Sequence, residues 1–290
     1  MSGTIDQVYV NTYETNVRHL AQQGITRLRP WVMERSVQSE AHNWERIHST
    51  AATQKTTRKT PTPDDETEWS RRVSVPVTYH TGDVTEQEDV VQMIVDPNSN
   101  YAQAQAKAMR RAHDDEIIRA ATGNALDGDG NPVAFPGNQV VGTGYASELT
   151  FDFVTEVTEK FMSNDIDPDE EKVMVIGPKQ ARKLLQLTEA TSGDYNALKP
   201  LTSRGYVESW MGYSWVVSTR LNAPDTDQID CFCMTRKALG MQINKDIWAR
   251  VTEDPGISYA WRIYCASTFG AVRVEDEHIV KMELADTVGA

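Results

Sequence analysis

The sequence has few cysteines and no long apolar run, and both absences limit the class of protein. Its 290 residues include three cysteines, an odd number that favours a reducing cytosol over a disulfide framework. No stretch approaches the roughly 18 consecutive apolar residues of a membrane-spanning helix. The N-terminus has neither the basic nor the apolar region of a signal peptide. We therefore expect neither a membrane protein nor a secreted one.

The common sequence signatures of catalysis are also missing. The chain contains no GxxxxGK[ST], GxGxxG, GxSxG or HExxH motif, which are the usual marks of phosphate loops, nucleophile elbows and zincin sites. The six histidines lie in different predicted elements, and no pair has the i,i+4 spacing that places two ligands on one helix face. The sequence predicts no catalytic residue and no cofactor, and we do not expect an enzyme.

Two sequence patterns imitate metal sites. Residues 127–131, DGDGN, resemble the opening of a calcium loop, but Pro132 stands where that loop needs glycine and Asn138 where it needs a bidentate glutamate. We expect a turn or hairpin tip there.

The second pattern is C-x-C. Cys231 and Cys233 lie on one face of a predicted strand, and Cys265 with His278 would complete four zinc ligands. The C-x-C spacing is not that of a zinc knuckle, so buried thiols are the expected reading and no metal is predicted.

Charge is unevenly distributed along the chain. The formal net charge is −13, yet residues 1–60 carry +3 and residues 81–290 carry −14. The apolar share is 39% and the mean hydropathy −0.51, slightly too polar for a compact enzyme of this length. A basic leading segment favours an arm that binds a partner or nucleic acid; chance fluctuation over 60 residues is the alternative.

The first 88 residues are predicted to form an arm and a long hairpin. Apolar residues at three- and four-residue spacing indicate an amphipathic helix over 6–23, and Pro30 makes RLRPWVMERS (27–36) an extended tether. Alternation from Arg71 to Tyr79 indicates a strand. We expect an N-terminal arm over 1–38 and an extended hairpin over 39–88, with about twenty residues per strand, a tip near 55–67, and stability only when another chain covers it.

A long helix and an α/β region are predicted to follow. Residues 96–99 supply a helix start and Gly123 a stop. The face of this helix that packs closely against a neighbouring element is predicted to carry Tyr101, Ala104, Ala108 and Ala112. Its predicted ion pairs are Arg110 with Asp114 and Arg111 with Asp115. The α/β region is predicted to begin with a helix capped by Thr150, a buried strand at 172–176 and a helix from Pro178. A polar loop is predicted at 190–206, and strands at 213–218 and 229–234. Long strands are predicted over 248–284, with breaks at 254–256 and near Gly270.

Three of the seven tryptophans, Trp31, Trp44 and Trp69, lie in the arm and hairpin, and each has an arginine two positions away. These residue types on extended segments are typical of protein interfaces. The alternative is that they fold back onto their own domain. We predict assembly contacts at Arg29, Trp31, Arg35, Trp44, Arg46, Trp69, Arg71 and Arg72.

The order of these elements resembles a known family. RLRPWVMERS (27–36), WSRRVSVPV (69–77) and above all DPNSNYAQAQAKAMRRAHDDEII (96–118) are similar to segments of tailed-bacteriophage major capsid proteins of the Hong Kong ninety-seven type. The resemblance is specific over the first 120 residues and rests on element order beyond them. It implies an α+β capsid fold with an N-terminal arm, an extended β-hairpin loop, a long spine helix, a peripheral domain (89–150 and 246–290) and an inserted α/β axial domain (151–245).

The resemblance also implies a function and partners. Such a chain would assemble into pentamers and hexamers of an icosahedral shell around double-stranded DNA, in the bacterial host cytoplasm and then the virion. Portal protein and decoration proteins would be further partners. Some relatives carry a scaffolding region fused ahead of the arm, whereas arm and loop occupy the 96 residues before the helix here, so we expect a separate scaffolding protein. The alternatives are an encapsulin-like compartment shell and a soluble cytosolic α/β enzyme with a pocket in 151–245.

Overall fold

The computed structural model describes residues 22–59, 62, 64, 66–86, 97–142, 144–187 and 208–286. The predicted loop at 190–206, and all but the last two residues of the predicted helix at 6–23, lie outside these ranges. The described residues divide into two compact units. One takes in residues 22–25, 79–86, 97–110 and 247–267. The other takes in residues 26–59, 62, 64, 66–78, 111–142, 144–187, 208–246 and 268–286. No helix within the described ranges is long and apolar enough to cross a membrane.

A six-stranded mixed sheet holds most of the core. Its order is β7 (Val140–Val141), β14 (Ile279–Ala285), β11 (Gln228–Thr235), β8 (Lys172–Ile176), β10 (Tyr213–Val217) and β9 (Ser209–Trp210). All five residues of β8 are buried, as expected for an apolar strand covered on both faces. The predicted strands at 172–176, 213–218 and 229–234 are confirmed to within a residue.

The two helices predicted beside this sheet are both present, but Thr150 occupies the N-cap position of the first one without a side-chain cap hydrogen bond. Helix α2 (Phe151–Ser163) follows Thr150 and buries Val154, Val157 and Phe161, the three- and four-residue spacing of one helix face. Helix α3 (Pro178–Gln186) begins at a proline, which fits a first helical position because its missing N–H has no partner there.

A four-stranded sheet has the order β1 (Met33–Ser36), β12 (Leu239–Asp254), β13 (Ala260–Arg273) and β4 (Val77–Thr85). The predicted turn after Asp254 is confirmed, since the Asp254 carboxylate accepts the Gly256 N–H at 2.9 Å. The predicted break near Gly270 is wrong, because β13 runs through it. A Cβ at Gly270 would lie 2.4 Å from the Val75 carbonyl oxygen, so the glycine allows two backbones to approach rather than ending a strand.

The predicted hairpin is a much shorter ribbon. Strands β2 (His42–Ile47) and β3 (Trp69–Ser74) pair antiparallel, with His42 opposite Ser74 and Ile47 opposite Trp69. Each has six residues, so the prediction of about twenty per strand is wrong. The alternation continues past Ser74, but Pro76 has no N–H for a ladder, and the next strand, β4, belongs to the four-stranded sheet.

A tight hairpin joins β5 (Ala125–Leu126) to β6 (Pro132–Val133). The Asp127 carboxylate accepts the N–H groups of Asp129 and Asn131 at 2.9 and 2.8 Å, and these bonds lower the pKa of Asp127. The prediction of a hairpin tip is confirmed, and the aspartate stabilises the turn itself.

Helix α1 (Pro97–Thr122) is confirmed as a 26-residue helix ending before Gly123. The predicted close-packing stripe is wrong, because Tyr101 is exposed and Ala104, Ala108 and Ala112 are only half-buried. The buried side carries Gln105 and Met109 instead. The Gln105 amide donates to Asp83 at 2.8 Å and to the Ile263 carbonyl at 3.3 Å, and such bonds allow a polar side chain to face a sheet.

Candidate assembly surface

The outer face of the β2–β3 ribbon presents an apolar pair to solvent. Ile47 and Trp69 lie directly opposite each other and are 60% and 68% exposed. Cross-strand partners have adjacent Cβ atoms, so the two side chains form one contiguous feature, which we call the ribbon pair. The next pair on this face is Glu45 opposite Arg71, joined by an ion pair at 3.4 Å.

The inner face of the ribbon is covered by the chain itself. Trp44 is 7% exposed, packs in a cluster with Ala125, Val272 and Val274, and donates its indole N–H to the Ser74 hydroxyl at 3.1 Å. The expectation that Trp44 lies outside the chain's own core is therefore wrong. A Cβ at Gly240 would lie 2.5 Å from the Trp44 ring, so only glycine leaves room for the indole.

A buried arginine, Arg72, attaches the inner face of the ribbon to the rest of the chain. Arg72 donates to Asp276 at 2.8 Å, and Arg273, fully buried, donates to the same carboxylate at 2.5 Å. Burial lowers the pKa of Arg72, and the Asp276 charge opposes that shift. Arg46 donates to the Val274 carbonyl at 2.9 Å. Arginines 46 and 72 therefore join the ribbon to the segment after β13.

The arm residues have a separate environment. Arg29 bonds to Glu34 at 2.6 Å and to Asp246 at 3.0 Å, and these partners raise its pKa despite partial burial. Trp31 is half-buried, and Arg35 on β1 is exposed. The start of this segment is held by a buried carboxylate on α1, because Asp114 accepts the backbone N–H groups of residues 27 and 28 at 3.0 to 3.2 Å.

The eight predicted residues thus occupy three settings. Trp69 and Arg71 lie on the outer face of the ribbon; Trp44, Arg46 and Arg72 lie on its inner face; Arg29, Trp31 and Arg35 belong to the segment around β1. The sequence reasoning missed Ile47, whose signal is its alternation with Glu45. It also missed Asp276, for which a single sequence offers no signal because the residue is 204 positions from Arg72.

A shallow cleft borders Trp69. It has a volume of about 340 Å³ and is lined on one side by Glu45, Ser70 and Arg71 and on the other by residues 127–129. A Cβ at Gly128 would lie 2.4 Å from Cγ of Arg71. The glycine therefore allows the hairpin tip to rest on the aliphatic stem of that arginine, which supports the ribbon from the side.

The cysteines of the imitated zinc site are buried. Burial raises the pKa of Cys231 to about 12 and that of Cys233 well above its ordinary value. The His278 imidazole contacts the Thr235 hydroxyl at 2.8 Å and Glu275 at 3.2 Å. Within the part of the chain that the structure describes, no three potential metal ligands gather at one point.

The fold defines a class of protein. Solved structures with the same fold include the capsid of cyanophage P-SCSP1u, with a TM-score of 0.75, 14% identity and coverage of 97% of this chain and 94% of that one. A structure of Mycobacterium phage Che8 has a TM-score of 0.74, 13% identity and coverage of 96% of this chain and 97% of that one. The mature capsid of bacteriophage PhiM1 has a TM-score of 0.73, 13% identity and coverage of 97% of this chain and 93% of that one. The architecture is therefore that of tailed-phage capsids, and the α+β capsid fold expected from the sequence is confirmed.

The sequence itself gives the family. Residues 5–286 match the phage capsid protein family, and the chain belongs to it. No curated protein is significantly similar in sequence. The chain is thus a structural protein of the phage capsid, located in the virion.

Proposed function

We propose that this chain is the major capsid protein of a tailed phage, assembling into the pentamers and hexamers of an icosahedral shell around double-stranded DNA. The observation that carries the proposal is the ribbon pair. Contiguous exposed apolar side chains on a rigid support are typical of protein interaction sites. Trp44 and Arg72 anchor this platform, and Ile47 with Trp69 stand on its solvent side.

We further propose that the interface residues divide by burial. Trp69, Arg71 and Arg35 are exposed and would contact neighbouring subunits directly. Trp44, Arg46 and Arg72 have partners within their own chain and would act by holding the ribbon in place. Arg29 and Trp31 would fix the direction in which the arm leaves the folded chain. The predicted organisation, with an arm over 1–38, a loop over 39–88, a peripheral domain over 89–150 and 246–290, and an axial domain over 151–245, is retained as part of this proposal.

Partners other than the chain itself belong to the same proposal. We expect a separate scaffolding protein and a portal protein during assembly in the bacterial cytoplasm, decoration proteins on the shell, and DNA held without sequence specificity. Residues 81–290 carry a net charge of −14. An acidic inner surface does not bind DNA phosphates, so DNA can move along it. Efficient formation of correctly sized shells by this chain alone would contradict the scaffolding part.

Electron microscopy of the purified chain, with and without co-expressed phage assembly proteins, tests the main proposal. We expect polyhedral shells, or rings of five and six subunits. A strict monomer under both conditions would contradict the proposal. Packaged particles would in addition contain nuclease-protected double-stranded DNA.

A further inference from the structure

The tip of the β5–β6 hairpin contains two Asp-Gly dipeptides in succession. They are Asp127–Gly128 and Asp129–Gly130. Residues 128–130 are exposed, and Asp127 is half-buried. An Asp-Gly bond is especially reactive, because glycine has no side chain to hinder attack of its nitrogen on the carboxyl carbon of the preceding aspartate. Both dipeptides therefore have the composition for a chemical change in the backbone itself.

This attack converts aspartate to isoaspartate in two steps. The nitrogen of the following residue bonds to Cγ of the aspartate, and the carboxyl OH and the amide hydrogen leave together as water. A second water molecule then opens the five-membered succinimide ring. When it adds at the main-chain carbonyl carbon, the product is isoaspartate, in which the backbone runs through Cβ and Cγ and is longer by one atom. The reaction needs no oxidant, metal or enzyme.

The Asp127 carboxylate is held away from this reaction. It accepts the backbone N–H and the side-chain amide of Asn131 at 2.8 and 3.2 Å, and the N–H of Asp129 at 2.9 Å. These bonds stabilise the ionised form and lower the pKa of Asp127, whereas ring closure removes an OH from the carboxyl group. They also direct both oxygens past Gly128 to later residues of the turn. Ring closure at Asp127–Gly128 would break these bonds.

The Asp129 carboxylate is not restrained in this way. It forms no hydrogen bond or ion pair with any residue that the structure describes. Gly130 has a φ of +84°, which glycine adopts without strain, and a Cβ there would have no neighbour within 4 Å, so the Asp129 side chain has room to turn towards it. The Gly130 N–H donates to the Asp127 carbonyl at 3.1 Å, but an exposed backbone bond of this kind opens readily.

We propose that Asp129–Gly130 is a site of spontaneous isoaspartate formation, and that its hydrogen bonds protect Asp127 from the same reaction. The extra backbone atom enters the hairpin tip that rests on the aliphatic stem of Arg71, so the reaction loosens this support of the ribbon as the protein ages. The inference concerns the single chain and does not depend on the proposed function.

Ageing of the purified full-length chain at neutral pH and physiological temperature tests the proposal. Labelling with a protein-isoaspartyl methyltransferase measures isoaspartate, and fragmentation of the labelled peptide by electron transfer shows which residue carries it. In the folded chain we expect label at Asp129 and at least about tenfold less at Asp127. In a parallel sample unfolded in guanidinium chloride, both positions should react at similar rates, because the hydrogen bonds of the turn are absent.

Two variants provide matched controls. Asp129→Glu keeps the charge but cannot close the five-membered ring, and we expect it to abolish the label in the folded chain. Asp127→Ala removes the acceptor of the turn and should raise the label at Asp129. Equal reaction of the two dipeptides in the folded chain would overturn the proposal. So would a folded chain that reacts at neither position while the unfolded chain reacts at both. Assembly is not part of the readout, so either result leaves the proposed function as it stands.

Discussion

Trp44 and Trp69 illustrate how residues of one type and one ribbon take opposite roles. Both are tryptophans with an arginine two positions away, but their positions in the register place Trp44 on the inner face and Trp69 on the outer. A one-residue shift in register would exchange the two faces. Side-chain identity predicted an assembly contact at both positions, whereas the structure buries Trp44 in its own chain and leaves Trp69 exposed.

The shared carboxylate of Asp276 gives a prediction at this scale. Asp276→Asn leaves the buried guanidinium groups of Arg72 and Arg273 without a counter-charge, so we expect a loss of about 3–5 kcal/mol in the free energy of unfolding. Glu45→Gln removes one charge from an exposed pair on the same ribbon and should cost at most about 1 kcal/mol. Denaturant unfolding of both variants measures the difference. Equal losses would show that Asp276 is not the counter-ion we infer.

His113 gives a prediction of pH dependence. It is fully buried against Phe269, with ring centroids 4.1 Å apart, and burial together with the positive charge of Arg29 lowers its pKa to about 4. Between about pH 6.5 and 4 the unfolded chain therefore binds a proton that the folded chain does not. This group's contribution to stability is complete above about pH 6.5 and falls as the pH is lowered towards 4.

The His113→Gln variant measures that contribution. Relative to this variant, the wild-type chain should lose roughly 3 kcal/mol of unfolding free energy between pH 7 and pH 4. Unfolding at pH 7 shows the cost of the substitution itself, since the wild-type imidazole is neutral there. Parallel pH profiles for the two chains would contradict the assignment.

At the scale of elements, local patterns predicted the helices well and the ribbon poorly. Helices α1, α2 and α3 have strong periodicity or caps within their own sequence, and such signals act over a few residues. The ribbon's length depends on Pro76 and on where β12 and β13 offer a partner, which are tertiary facts. The packing side of α1 was also mispredicted, because Gln105 faces the sheet through hydrogen bonds that a hydrophobic pattern does not contain.

The link between α1 and the arm segment gives a prediction for elements. Asp114 is buried and accepts two backbone N–H groups of that segment, so Asp114→Ala leaves these donors without their acceptor, at a cost of about 1–3 kcal/mol. We expect faster tryptic cleavage after Arg27, which is followed by leucine. The control is Asp115→Ala, which removes a more exposed carboxylate paired with Arg220 and should leave cleavage near wild type. Equal cleavage in both variants would contradict the anchoring role.

At the scale of the whole molecule, the chain combines a self-sufficient core with surfaces that are not covered. The six-stranded sheet buries its own strands, and Trp44 and Arg72 find partners within the chain. The ribbon pair remains open to solvent. This combination suits a subunit that folds before it assembles.

The matching prediction concerns particle yield. Trp69→Ala removes an exposed side chain, so we expect fewer particles by electron microscopy and little change in the subunit's thermal unfolding. Arg72→Glu also lowers the yield, but by placing a carboxylate beside Asp276, and it should destabilise the ribbon as well. Unchanged yield in both variants would remove the ribbon from the assembly proposal. The exposed Met162→Ala is the control, with expected normal yield.

The sequence by itself determined the order and type of the main elements, the capsid family, and the presence in the arm and ribbon of three tryptophans that each lie two positions from an arginine. These properties depend on periodicity, caps and composition, which are local. Only the tertiary structure decided which face of the ribbon is buried, that Arg72 and Arg273 share Asp276, and that Gly240 makes room for Trp44. These contacts join residues far apart in the chain, and they follow from how the strands are paired rather than from any pattern within one segment.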